Sequence, residues 1–186
     1  MTSLHKALSV LTLFLCLFAA VGCEKEKTAE EDQELYFHSN AENSDVPTVI
    51  LGVPAESDTL VGEELVLEIR VKRVTDLYGL AFRIQYDPDV LRFQEMNFTS
   101  LWKEKAVGAA REPLPGLLVG AVTLTGEAEG LQAEDATAAV LRFEVLSKLE
   151  SALSFVQGRS ILMASDGIYN TGVDWAGGEL RLESKR

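Results

Sequence analysis

The chain has 186 residues, 47% of them hydrophobic and 25% charged, with a formal net charge of −12. That length suits one domain plus extras. The charge argues against nucleic acid, whose phosphates it would repel, and against electrostatic docking on anionic lipid, so a membrane attachment would need a lipid group of its own.

Residues 1–22 read as an export leader. A short polar start with His5 and Lys6 precedes an apolar run from Ala7 to Ala20, and Ala20-Val21-Gly22 leads into Cys23. The run is shorter than the roughly 20 apolar residues that a bilayer span needs. Small residues at Ala20 and Gly22, three positions and one position before the cysteine, read as a lipoprotein signal, in which the cysteine is lipidated and becomes the first mature residue. An ordinary secretory peptide ending near a cysteine is the alternative. Lys6 is the only charged residue in that segment, so its removal takes the charge from −12 to −13. Cys23 is then the single cysteine, which leaves no intramolecular disulfide and no cysteine-based metal site.

Residues 23–46 read as an acidic, disordered tether, with eight acidic residues and two lysines between Glu24 and Asp45 and little that is apolar beyond Leu35-Tyr36-Phe37. The domain is expected over 47–186. From Thr48 onward the signals are short strands separated by turn residues. Thr48–Val53 is a first strand. Leu65, Leu67, Ile69 and Val71 alternate with Val66, Glu68, Arg70 and Lys72, which gives one buried and one wet face. Tyr78, Leu80, Phe82, Ile84 and Tyr86 repeat that pattern, and Asp87-Pro88 breaks it with a corner before Val90–Phe93. Residues 99–116 are the least regular part. Leu117–Thr125 is β-rich, Gly130–Thr137 reads as a loop, and Ala139–Val145 alternates cleanly; after Pro47 only Ala133–Ala139 has room for a helical turn. Leu153–Met163 is a strand broken near Gly158, 165–178 a loop, and Glu179–Leu182 the closing strand. The expectation is an all-β jelly-roll sandwich of about nine strands.

The order of these features resembles a cohesin domain. The resemblance rests on Val61-Gly62-Glu63-Glu64-Leu65, on Gly79-Leu80-Ala81-Phe82-Arg83-Ile84-Gln85-Tyr86-Asp87-Pro88 with Val90-Leu91-Arg92-Phe93, on Thr137 to Val145, and on Asp166-Gly167 before Gly177-Gly178-Glu179-Leu180. It spans roughly Thr48 to Glu183. It implies a jelly-roll sandwich related to some carbohydrate-binding modules, and a dockerin-type protein partner recognised on the outward face of the strand before Tyr-Asp-Pro. Those outward positions here are Gly79, Ala81, Arg83 and Gln85, with Gly79 and Ala81 where the cellulosomal type carries Asn and Asp. Calcium would belong to the dockerin side and use none of this chain's residues.

Catalytic signals are weak. The histidines are His5 in the leader and His38 in the tether, which leaves no Ser-His or Cys-His scheme in the domain. Glu127 with Glu129, and Glu134 with Asp135, read as solvated surface acids rather than a glycosidase pair. Asp166 to Asp174 has oxygen ligands that calcium prefers but no spaced acidic pattern, so a plain Asp-Gly turn is the reading taken and no cofactor or metal is assigned. Trp102 and Trp175, with Tyr169 and Tyr78, are the aromatics available to stack on a sugar. The functional expectation is therefore a non-catalytic lipoprotein, exported and anchored to the cell envelope (outer membrane or cell surface) through Cys23, displaying a protein-binding module. The alternative is a polysaccharide-binding surface lipoprotein stacking sugars on Trp102 and Trp175.

Overall fold

Alternation with a period of two sets the architecture. The structure is a computed structural model that describes residues 33–42, 44–55, 60–102, 106–167 and 172–184. Its first half holds β1 (Gln33–Ser39), β2 (Thr48–Gly52), β3 (Leu60–Val61), β4 (Glu64–Leu77), β5 (Gly79–Gln85) and β6 (Leu91–Phe98). A single 3-10 turn at Ser100–Trp102 follows, then β7 (Ala106–Leu114), β8 (Leu117–Leu124) and β9 (Leu131–Val145). The chain closes with β10 (Ser151–Phe155), β11 (Ile161–Met163), β12 (Asp174–Ala176) and β13 (Gly178–Ser184).

Two sheets face each other. One runs β3-β1-β13-β10-β5-β8-β7, with β11 pairing β5 beyond the end of β10; the other runs β12-β2-β4-β9-β6. Every pairing is antiparallel except β12 on β2. Residues pointing inward from both sheets make one core, in which Phe37, Leu67, Ile69, Phe82, Leu141 and Phe143 are at most 1% exposed. This is the all-β jelly-roll sandwich expected from the sequence, with thirteen strands among the described residues instead of about nine.

Four segments differ from expectation. The boundary at 46/47 is too late: β1 belongs to the sandwich, pairing β13 from Gln33↔Ser184 to Ser39↔Gly178, with Leu35 and Phe37 in the core. His38 is thereby part of the domain, its Nε2 2.8 Å from a Glu183 carboxylate oxygen on β13. Two apolar residues in phase outweigh the acidic surroundings, because each full burial contributes about 1.5–3 kcal/mol. The irregular region holds β7, whose small residues fit beneath a neighbour: a Cβ on Gly108 would sit 2.4 Å from the Phe98 ring. Residues 131–137 are the first half of β9 rather than a loop, with Leu131 and Ala133 inward and Asp135 outward on a wet face. The expected loop 165–178 contains β12. The break near Gly158 does separate β10 from β11.

The Asp-Pro corner forms as the sequence implies. The Asp89 N–H donates to Asp87 Oδ1 at 2.9 Å, and the N–H groups of Val90 and Leu91 donate to Asp87 O. Tyr86, just before it, is a buried junction. Its ring meets Phe143 edge-on at 5.1 Å, its N–H donates to Gly116 O at 3.0 Å, and its hydroxyl donates to the Glu112 carboxylate. Glu112 also accepts from the Gly116 N–H at 2.9 Å. Gly116 turns β7 into β8 with φ +79°, a left-handed conformation that favours glycine. Burial, and then the hydrogen bond and charge of Glu112, hold the Tyr86 hydroxyl protonated well above the usual phenol range.

Two outcomes test this packing. Phe37→Ala is expected to lower the unfolding free energy by about 3–5 kcal/mol in urea denaturation; a change below about 1 kcal/mol would return Leu35–Phe37 to the tether. Because the Tyr86 pKa is raised on folding, its contribution is complete below about pH 10, the ordinary phenol value, and is lost as pH rises beyond it. The stability advantage of wild type over Tyr86→Phe should therefore hold constant from pH 7 to 9 and shrink by pH 11. An advantage unchanged at pH 11 would contradict the junction.

Candidate functional site

The strand preceding Tyr-Asp-Pro is β5, which lies inside the eight-stranded sheet with β8 and then β7 on one side and β10 and β11 on the other. Leu80, Phe82 and Ile84 point into the core, so Gly79, Ala81, Arg83 and Gln85 point outward, as the alternation implies. The four expected partner-binding residues therefore share one outer face.

Register extends that face across the neighbouring strands. Gly79 is level with Thr123 of β8 and, beyond it, Val107 of β7. Ala81 is level with Ala121 and Ala109, and Arg83 with Val119 and Arg111. On the other side, Met163 pairs with Gly79 and Ile161 with Ala81. The alanine row forms the floor of an open, almost wholly apolar hollow of about 370 Å³, rimmed by Val107 and Met163. Val107 is 65% exposed, a large aliphatic side chain held in solvent on a sheet surface.

The face is held from beneath and from the side. Gly120, on the inward side of β8, lets the Phe82 ring pass directly under the sheet: a Cβ there would lie 2.3 Å from that ring. Beside β5, the Ser160 hydroxyl accepts from the Arg83 N–H at 3.2 Å and the Val156 N–H donates to Arg83 O at 2.8 Å. The turn between β10 and β11 is thus fastened to the middle of β5, at the level of the arginine row.

The aromatic pair expected for sugar stacking does not assemble. Trp102 is 1% exposed, and its indole N–H donates to Ala138 O at 2.9 Å. It plugs the core, and neither ring face is open to a ligand. Trp175, on β12, is half-buried and meets Phe155 edge-on at 5.1 Å. Two strands, β2 and β4, separate β12 from the β9 backbone that Trp102 contacts. Cys23 lies outside the described residues, as do 168–171 of the Asp166–Asp174 loop. Asp76 accepts from the Ser165 N–H and hydroxyl at 3.1 and 2.8 Å at the near end of that loop. Among the described residues no three His, Cys, Asp or Glu side chains gather in a way that would hold a metal ion.

Sequence reasoning found the β5 positions by counting back from Tyr86 but missed Val119, Ala121 and Thr123 on β8 and Val107, Ala109 and Arg111 on β7. Leu117–Leu124 alternates between core and surface with apolar residues on both sides, so composition alone does not say which face is which. Cross-strand register does.

Comparison with known proteins places this arrangement. A cohesin-domain family model matches residues 51–171. Similar solved structures include a type II cohesin domain from the cellulosome of Acetivibrio cellulolyticus, 20% identical with a TM-score of 0.55, covering 71% of this chain and 92% of that one. A non-cellulosomal cohesin from the archaeon Archaeoglobus fulgidus is 16% identical with a TM-score of 0.54, covering 71% and 88%. The sixth cohesin of Acetivibrio cellulolyticus scaffoldin B, solved in complex with a mutant Cel5 dockerin, is 16% identical with a TM-score of 0.53, covering 70% and 94%. At these identities the structures establish a shared fold. No curated protein matches the chain. The family model covers well over half of the sequence, and the chain belongs to the cohesin family.

Proposed function

We propose that this chain is a non-catalytic, lipid-anchored display module of the cell envelope, and that it binds a dockerin-type protein partner on the outward face of β11, β5, β8 and β7. The observation that carries the reading is the in-register row Ala81–Ala121–Ala109 under an exposed Val107. A sheet surface with small side chains and an open apolar hollow suits close approach by another protein, since interface cores are depleted in charge and packed like protein interiors. The cohesin solved with a bound dockerin lends family support. Asn and Asp are replaced by Gly79 and Ala81 on β5, so the partner engages this face through shape and apolar contact more than through a hydrogen-bonding pair.

The anchor follows from the sequence. Ala20-Val21-Gly22 before Cys23 directs lipidation of that cysteine. Nine residues then separate Cys23 from the first residue of β1, a reach of at most about 35 Å when extended. That reach would keep the module within a short distance of the membrane.

Two measurements test the proposal. The full-length chain in detergent should form a saturable complex with at least one member of a panel of calcium-loaded dockerin modules, and Ala121→Arg should reduce that affinity by at least a hundredfold with no change in melting temperature. A complex indifferent to Ala121→Arg would remove the face from the mechanism. Labelled palmitate should enter the wild-type chain during expression in a bacterial host and not Cys23→Ala; equal labelling would sink the anchor.

A further inference from the structure

The outward face of β5, β7, β8 and β11 differs in charge from the rest of the molecule. The chain carries a net −12, yet no carboxylate projects from these four strands onto this face. Glu112 is the acid closest to it in sequence, and its carboxylate is turned to the Tyr86 hydroxyl and the Gly116 N–H. What the face does carry is two arginines in one cross-strand row: Arg83 and Arg111 flank Val119. Arg159, in the turn fastened to β5 through Ser160, lies at the level of the same row.

The opposite sheet shows how this chain treats arginines on a solvated surface. Arg70 pairs with Asp135 at 2.7 Å, Arg142 bridges Glu64 and Glu95 at 3.0 and 3.2 Å, and Arg92 pairs with Glu144. Among the described residues Arg83 and Arg111 form no ion pair and no side-chain hydrogen bond. Covering two unpaired guanidinium groups with an apolar surface would strip their water and return nothing, neutral acceptors would return weaker hydrogen bonds than carboxylates, and a basic surface would add repulsion. Carboxylates, which accept bidentately from a guanidinium and carry the opposite charge, are the groups that best repay closing a partner over this face.

We propose that the partner of this face is an acidic-rimmed apolar surface. It presents two carboxylates about 10 Å apart, the span of two strand spacings, to Arg83 and Arg111, and an apolar side chain about 7 Å to one side that seats on the Ala81–Ala121–Ala109 floor. The proposal rests on the sheet-face reading above and adds the chemistry by which one partner is chosen over others. This chain is acidic overall, so an acidic rim is opposed at long range, and the arginine row is where attraction overrides it. Partners without correctly placed carboxylates are rejected twice, by distance repulsion and by the unpaired arginines they would bury.

The test is a displayed library of calcium-loaded dockerin modules with randomised exposed helix positions, selected on the full-length chain in detergent. Every clone is then measured against Ala121→Arg, Arg83→Glu/Arg111→Glu and the milder Arg83→Gln/Arg111→Gln, each first shown to melt like wild type. If the proposal holds, clones that lose binding to Ala121→Arg are enriched in Asp and Glu. They weaken about a hundredfold on the Glu double variant and by an intermediate factor on the Gln one, and they weaken with added salt on wild type only. Clones that need Ala121 but show no acidic enrichment, or bind the Glu variant as tightly as wild type, overturn the acidic partner and leave the face. A selection that returns no clone, or only clones indifferent to Ala121→Arg, overturns both.

Discussion

Tyr86 is the point on which the arrangement of the candidate sheet face depends. It is the last inward residue of the β5 alternation and the first of the Asp-Pro corner, and it contacts three parts of the fold at once. Its ring lies against Phe143 of the opposite sheet, its N–H reaches the β7–β8 turn at Gly116, and its hydroxyl engages Glu112 on β7. The hairpin carrying half of the candidate site is thereby tied to the strand carrying the other half through a part-buried hydrogen bond. A hydrogen bond to a charged acceptor contributes about 1.5–3 kcal/mol, more than the neutral backbone contacts around it. Without it, β7 would hold to the molecule chiefly through β8 and the ring of Phe98 over Gly108. The flat register Ala81–Ala121–Ala109 is a consequence of that restraint as much as of strand pairing.

The strands that were legible are those with large inward side chains at every second position. β4, β5 and the second half of β9 each place at least three such residues in phase, and no polar substitution interrupts them. The segments that were not legible fail for separate physical reasons. β1 offers only Leu35 and Phe37 after an acidic run, and its membership is decided by β13, whose pairing partners lie more than 130 residues away. β7 has almost no side chain to bury because Gly108 and Ala110 lie under the edge of the sandwich, so a periodicity of bulk has nothing to register. The start of β9 carries acids on its outward positions, and these answer cations on β4, as Asp135 does for Arg70 and Lys72. Read without its neighbour, an acidic wet face looks like a loop.

The candidate site was legible along one strand and hidden across strands. The phase of β5 follows from Tyr86 and the corner. Val119 and Val122 of β8 are the same residue type on opposite faces, and only the pairing of Arg83 with Val119 distinguishes them. The tryptophans show the converse limit. Sequence gives each a large ring and a polar N–H, but burial decides whether the ring is a platform or a plug, and the Ala138 carbonyl that satisfies the Trp102 N–H removes the reason to leave it in water.

The two outer surfaces differ in charge and packing, and the proposed function would divide solubility and recognition between them. On the β4–β9–β6 face, the ion pairs are exposed and each contributes about 0–1 kcal/mol, too little to explain stability. Their effect is on association: Arg70, Arg92 and Arg142 are each already matched to a carboxylate and offer an incoming protein no unpaired guanidinium. The β5–β8–β7 face has the opposite character, and an exposed Val107 over an alanine floor would by itself invite self-association. The net charge of −12 opposes that, since two copies approaching through this face repel at long range while bringing arginines, not acids, to meet arginines. On the proposed reading, an acidic chain with an acid-free, arginine-bearing window would resist self-association and stay open to a surface of complementary charge, so the composition that looked like a general solubilising feature would also filter what reaches the face.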